Sequence, residues 1–194
     1  MTQTAPAKFV DTFDAFVQDY IDRSTPDNRG LLTPWDAQWP SQCVMQDTDS
    51  LHNDDIVQWQ PARRQPQGVM SNLEQALELK IPDAFEQLLG RYYSLDLNAV
   101  HKRGNVTLLQ AWNEHDYERL QKNIIAHVLM KRRLKQPDTL FFALTDEDDL
   151  IISIELESAQ VILEPLGQVA REVLAGSLEE FMSDLSAQPQ FVSL

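Results

Sequence analysis

Glycine, cysteine and late basic charge are all scarce in this chain, and each scarcity removes a class of function. The six glycines, Gly30, Gly68, Gly90, Gly104, Gly167 and Gly176, are too dispersed to build a phosphate-cradling loop. The single cysteine, Cys43, rules out an internal disulfide and fits a reducing compartment. No apolar stretch approaches the roughly 18 to 20 residues that span a bilayer, and no basic n-region precedes an apolar core at the N-terminus. The expectation is a soluble, cytoplasmic protein with no direct lipid anchor. After Lys135 the only base is Arg171, against twelve acids, so most of the formal charge of -14 lies in the C-terminal third. Such a field repels nucleic acid and anionic lipid, and steers a basic partner towards the protein.

Catalytic and metal-binding patterns are scarce too. His52, His101, His115 and His127 adopt neither the H-E-x-x-H nor the paired-cysteine spacing that captures a metal. The acidic runs Asp47 to Asp55 and Asp146 to Asp149 put Leu51 and Leu150 where an EF-hand needs an oxygen ligand, and no glycine follows at the sixth position. Cys43 needs a neighbouring base to act as a nucleophile; beside Val44 and Met45 it reads as a small core residue. The one basic patch, Lys131 to Lys135, sits where a helix C-terminus favours cations, which explains it without nucleic acid. No catalytic residue, cofactor or metal is expected.

The positive signal is periodicity. Between Leu108 and Leu144 the pattern changes twice and reads strand, long helix, strand. Asn113 suits an N-cap, and Tyr117, Leu120, Ile124 and Val128 recur on one helical face. Glu114, Asp116 and Glu118 complement the positive end of the helix macrodipole, Lys131 to Lys135 the negative end, and Pro137 stops the helix. Thr139 to Leu144 reads as a buried strand.

Elsewhere, Phe9, Phe13, Phe16, Val17, Tyr20 and Ile21 predict a first helix. Ser24 to Gln42, with Pro26, Gly30, Pro34 and Pro40 around Trp35 and Trp39, reads as an irregular connection pinned by aromatic packing. Short strands are expected around Val44 and over Ile56 to Gln60, then a loop over Pro61 to Gly68. Ser71 with Glu74 reads as a capping box for a helix through Leu79, and Pro82 opens another that ends near Gly90. A half-buried strand over Tyr93 to Ala99 turns through Lys102 to Gly104 into Val106 to Trp112. Leu150 to Leu156 and Val161 to Leu163 continue the sheet, and Ser177 with Glu180 caps a last helix to about Leu185. The order predicts an α+β fold: a single domain over residues 1–194 with a mixed, mainly antiparallel sheet flanked by helices. There is no internal repeat.

These pieces, in order, resemble the Syd family of SecY-interacting proteins. The resemblance rests on LLQAW (Leu108 to Trp112), NIIAHV (Asn123 to Val128), KRRLKQPDTLFFA (Lys131 to Ala143), IVQWQP (Ile56 to Pro61), PDAFEQ (Pro82 to Gln87) and GSLEEF (Gly176 to Phe181). It covers most of the chain after Val44; the segment through Gln42 is less similar, and Asp47 to Asn53 looks like a local insertion. At Asp138 the chain departs from a second proline expected after Pro137.

The resemblance implies a SUKH-like fold that presents surfaces rather than chemistry, and an acidic groove that docks the basic cytoplasmic loops of the membrane channel SecY. Family members act as a check on, or negative regulator of, translocase that lacks its proper partners. Carried onto this sequence, the groove candidates are Asp55, Glu74, Asp83, Asp96, Glu114 and Asp116, with Trp59 and Trp112. Glu74 and Glu114 also suit helix starts, and the tryptophans also suit a core. The expected place is peripheral, on the cytoplasmic side of the inner membrane through SecY. An immunity-type module of the same fold, masking a basic toxin, is the alternative. A hydrolase using Cys43 is a third reading, and the sequence leaves the oligomeric state open.

Overall fold

A computed structural model describes residues 5–24 and 30–189. Pro26 and the start of the expected irregular connection therefore lie outside the described residues. The elements are α1 (Ala5–Ser24), β1 (Leu31–Pro34), β2 (Ile56–Trp59), β3 (Ala62–Arg63), α2 (Ser71–Leu77), α3 (Asp83–Gly90), β4 (Tyr92–Tyr93), β5 (Leu97–His101), β6 (Gly104–Leu108), α4 (Glu114–Arg133), β7 (Thr139–Thr145), β8 (Leu150–Glu155), β9 (Val161–Pro165), β10 (Glu172–Ala175), α5 (Leu178–Ser183) and β11 (Ser186–Ala187). The fold is α+β. Seven strands form an antiparallel sheet in the order β10-β9-β8-β7-β6-β5-β11, with small ribbons β1-β2 and β3-β4 beside it.

Local chemistry explains the central path. β5 and β6 form a hairpin with His101 opposite Gly104, and Gly104 takes φ 136°, a backbone conformation that side chains with a Cβ rarely adopt. The long helix begins as expected: the Asn113 side chain accepts from the Asp116 backbone N–H at 3.0 Å. It ends four residues before Pro137 in a Schellman arrangement, with Gln136 N–H donating to Lys131 O and Lys135 N–H to Arg132 O, while Lys135 holds φ 56°. Tyr117, Ile124 and Val128 are buried, and α4 packs on α2 and β7. On β7, Phe141 meets His127 of α4, whereas Phe142 meets Phe181 of α5, so adjacent strand residues reach different helices. The helices α1, α3 and α5 pack together, with Phe9, Phe13, Phe85 and Phe181 almost fully buried.

Several boundaries differ from the expectation. The supposed irregular connection contains β1, and the Val44 strand is only a single bridge to Trp59. Within the Pro61 to Gly68 loop, Ala62 and Arg63 pair with Tyr93 and Tyr92. The strand expected over Tyr93 to Ala99 is two strands, and β6 stops at Leu108, so Trp112 lies outside the sheet. β10 and β11 are too short to show a period. The Ser71 and Glu74 capping box does not form: the cap position is Met70, whose N–H donates to Glu86, and Glu74 instead accepts from Ile81 N–H beyond the end of its helix. At the last helix Ser177 accepts from Glu180 N–H as expected, while the Glu180 carboxylate reaches Gly176 N–H, one residue earlier than a standard box. Lys131 is not one of the solvated cations at the end of α4: it is 1% exposed and paired with Glu164.

Candidate functional site

The first turn of α4 organises the charged surface of this protein. Asn113 caps the helix by accepting from Asp116 N–H, and Asp116 Oδ2 in turn accepts from Trp112 N–H, one residue before the cap, at 3.1 Å. Trp112 Nε1–H donates to Trp39 O at 3.0 Å, Asn113 Nδ2–H to Pro40 O at 2.9 Å, and Ser41 Oγ–H to Trp112 O. These bonds pin Trp39 to Ser41 against the start of the helix. Trp59 stacks edge-on against Trp112, with ring centroids 5.8 Å apart. Both rings are buried, so the two tryptophans build the wall and do not present a face to a partner.

Two depressions flank Asp116. One, of about 450 Å3, has Asp96, Gln110, Asp116 and Arg119 among apolar neighbours Leu95, Leu120 and Phe141. The other, of about 300 Å3, lies between Pro34, Trp35, Trp39 and Trp112 and shares Leu95, Asp116 and Arg119. Asp116 is ion-paired to Arg119. Among the described residues Asp96 has no cation within bonding distance; its Oδ1 accepts from Gln110 N–H at 2.8 Å. Desolvation pushes the Asp96 pKa up, the Gln110 N–H draws it down, the nearby Asp116 charge raises it and the Arg119 charge lowers it, for a net upward shift. Buried Gln110 donates through Nε2 to Leu88 O and Leu109 O, leaving its Oε1 without a partner. The cleft therefore carries at its mouth an exposed carboxylate with no direct ion pair, above a buried amide oxygen without a partner.

The remaining sequence candidates lie apart from it. Glu114 starts the same helix but turns to the other side, where its carboxylate accepts from Arg64 Nη2 and from the Tyr93 hydroxyl, both at 2.6 Å. Arg64, with its side chain 5% exposed, is held between the Tyr93 and Tyr117 rings, 4.4 and 4.2 Å from their centroids. Glu74 accepts from Ile81 N–H and pairs with Lys80. Asp83 is exposed on the first turn of α3, beside an apolar groove of about 540 Å3 that includes Phe9, Ile81 and Leu178. Asp55 accepts from His52 N–H at the start of β2. Of the eight candidates the structure thus brings Asp96, Asp116, Trp59 and Trp112 together, and it separates Asp55, Glu74, Asp83 and Glu114 from them.

Gln110 and Arg119 were not singled out from the sequence. A lone amide inside the apolar run LLQAW was the available signal for Gln110, and spacing i, i+3 from Asp116 was the signal for Arg119. Cys43 is 1% exposed, and burial pushes its thiol up to about 11, so it stays protonated at neutral pH. Among the described residues no helix is long and apolar enough to cross a membrane, and no group of three or more His, Cys, Asp or Glu is placed to hold a metal ion.

Comparison with known proteins assigns a lineage to this arrangement. The family model described as Syd protein (SUKH-2) matches residues 10–187. The chain is 40% identical over 173 residues to Protein Syd of Alteromonas mediterranea, covering 89% of this chain and 93% of the relative. Identity to Protein Syd of Pseudoalteromonas atlantica is 37% over 177 residues, 91% of each chain, and to that of Pseudoalteromonas translucida 42% over 150 residues, 77% of this chain and 82% of the relative. The family model runs from within α1 to the end of β11, and the chain belongs to the Syd protein family.

Proposed function

We propose that this protein is an interaction module that docks the basic cytoplasmic loops of SecY through the acidic surface around the first turn of α4, and that it thereby checks translocase that is improperly assembled. The observation that carries the reading is the uncompensated Asp96 cleft beside Asp116, in a chain of net charge -14. Membrane proteins concentrate Lys and Arg in their cytoplasmic loops, so an acidic partner gains both attraction and orientation from such a surface. Family membership supports the same reading, because it is the Syd resemblance that points to SecY. Recognition of this kind requires no turnover and no cofactor. Residence at the inner membrane then depends on the channel.

The test is co-sedimentation with vesicles at physiological salt. Capture by SecY-containing vesicles, with little capture by protein-free anionic vesicles, is expected. The complex should weaken as salt rises, because the Debye length is already about 10 Å at 0.1 M. Equal capture by both kinds of vesicle would overturn the proposal.

A further inference from the structure

Most cations whose side chains are described are matched to an acid, and Lys122, Arg133, Lys135 and Arg171 are the four that are not. All four lie on α4, just past its end, or in the loop 166–171 beside that end. Lys122, Ala126, Leu129 and Arg133 recur at i, i+4, i+7 and i+11, so they form one exposed stripe of α4 that carries no acid. The Gln136 amide donates to Gly167 O at 2.9 Å and Lys131 Nζ to Gln168 O at 3.2 Å, and these bonds hold the loop against the helix end. Leu129, Leu134, Leu166 and Val169 are 41% to 63% exposed among these cations. The helix macrodipole accounts for cations in the last turn of α4, but not for Lys122 in its middle, Arg171 in a loop or the four exposed apolar side chains.

We propose that this surface rests on anionic lipid headgroups while the first turn of α4 engages the channel; the inference deepens the docking function proposed above and rests on it. Cations unmatched within the protein find their counter-charges in headgroup phosphates, and the leucine and valine side chains beside them lodge at the boundary of headgroup and acyl chain. Basic and apolar side chains alternating along an outward-facing helix side and loop suit a lipid surface better than an acidic protein segment, which would leave the apolar ones unburied. On the far side, Leu166 N–H donates to Asp149 O, so the acidic turn 146–149 limits the approach of a bilayer to the α4 side. Four cations do not outweigh a net charge of -14, so the surface adds to capture by the channel and does not replace it.

The test measures capture of the intact protein by SecY-containing vesicles of phosphatidylcholine alone and of phosphatidylcholine mixed with phosphatidylglycerol. Phosphatidylglycerol is expected to tighten capture by at least about fivefold, the effect of one or two cations near an anionic surface. In the triple variant Lys122→Gln, Arg133→Gln, Arg171→Gln that gain should fall below about twofold, with capture in phosphatidylcholine alone unchanged. A polarity-sensitive dye on the thiol of Val169→Cys gives a second readout on an otherwise unaltered chain, because Cys43 is buried and stays unlabelled. Its emission should shift to the blue on SecY vesicles that contain phosphatidylglycerol and not on those without it. Capture indifferent to phosphatidylglycerol, a gain retained by the triple variant, or an unmoved dye would overturn the proposal. A triple variant that loses capture equally in phosphatidylcholine alone would also overturn it and assign the surface to a protein contact. Capture by SecY without lipid dependence removes the lipid surface and keeps the docking reading, whereas a dye shift on protein-free phosphatidylglycerol vesicles without capture by SecY in phosphatidylcholine does the reverse.

Discussion

The two ends of α4 each carry a charged cluster, and they resolve their charges in opposite ways. At the C-terminal end, Lys131 Nζ donates to Glu164 Oε2 and to Gln168 O, while Glu164 Oε1 accepts from Thr139 Oγ1 at 2.7 Å. His127 Nε2 lies 2.9 Å from the same hydroxyl. The Lys131 and Glu164 side chains are each 1% exposed, and each charge there has its counterpart. At the N-terminal end the Asp116 charge is matched by Arg119, and the Asp96 charge is not. A fully paired buried cluster fixes how α4 meets β7 and β9; a partly paired open one can still gain from a partner. What separates a structural charge from a recognition charge in this protein is the remainder after local pairing, not the density of charge.

The comparison breaks first, and by the largest amount, at Lys131. Removing one member of a buried pair leaves the other uncompensated, so Lys131→Met should cost about 3 to 5 kcal/mol in denaturant unfolding. Adding Glu164→Gln should recover most of that loss, because the buried charge is then gone. Failure of the second substitution to restore stability would mean that packing, rather than pairing, accounts for the site.

The same two clusters should respond to pH with opposite sign. Burial pushes Glu164 up, but donation from His127, Lys131 and Thr139 outweighs it and lowers its pKa from 4.5 to about 2. That stabilisation is fully present above pH 4.5 and is lost as pH falls towards 2. Asp96 is raised, chiefly by desolvation, so its contribution is present below the ordinary value of 3.8 and is lost as pH rises through its folded pKa. Unfolding midpoints across this range should show a shallower acid limb in Glu164→Gln. In Asp96→Asn the neutral-pH midpoint should be unchanged or higher.

The smallest expected change is at the helix end between these clusters and solvent. Lys135 occupies a left-handed conformation at the closing position of α4. Lys135→Gly should therefore raise stability by about 0.5 to 1 kcal/mol while leaving partner binding untouched. Thermal unfolding would register it, and a loss of stability would show that the lysine side chain makes a contribution the helix-end geometry does not.

Long periods were legible in the sequence, and long-range partners were not. The stripes of α1 and α4, the Asn113 cap and the buried strand β7 are carried by neighbours within a turn or two, so local pattern sufficed. β3, β10 and β11 are two to four residues long and exist because a partner strand is nearby, which no window of sequence displays. The charges divide in the same way. Glu114 suited a groove or a helix start because its partner Arg64 is 50 residues away, and Lys131 suited only the helix end because Glu164 lies 33 residues further on. Asp14, on the polar side of α1, has both carboxylate oxygens held by the Nε–Nη2 edge of Arg91 across 77 residues. At Asp138, where a proline was expected, the carboxylate forms a fork with Arg132 and ties the end of α4 to the start of β7. Asp96 and Asp116 were brought to notice by resemblance, but their proximity depends on the β5 to α4 path and not on their spacing.

The central claim is that unmatched charge at the Asp96 cleft, not total charge, directs recognition. The direct measurement is the affinity for SecY-containing vesicles of two single reversals with the same change in net charge, Asp96→Lys in the cleft and Glu147→Lys in the exposed turn between β7 and β8. The account predicts a loss of about tenfold or more for Asp96→Lys and less than about twofold for Glu147→Lys, since a like charge inside a contact costs several kcal/mol and a remote one is screened. Equal losses in two folded variants would contradict it and assign recognition to the overall field.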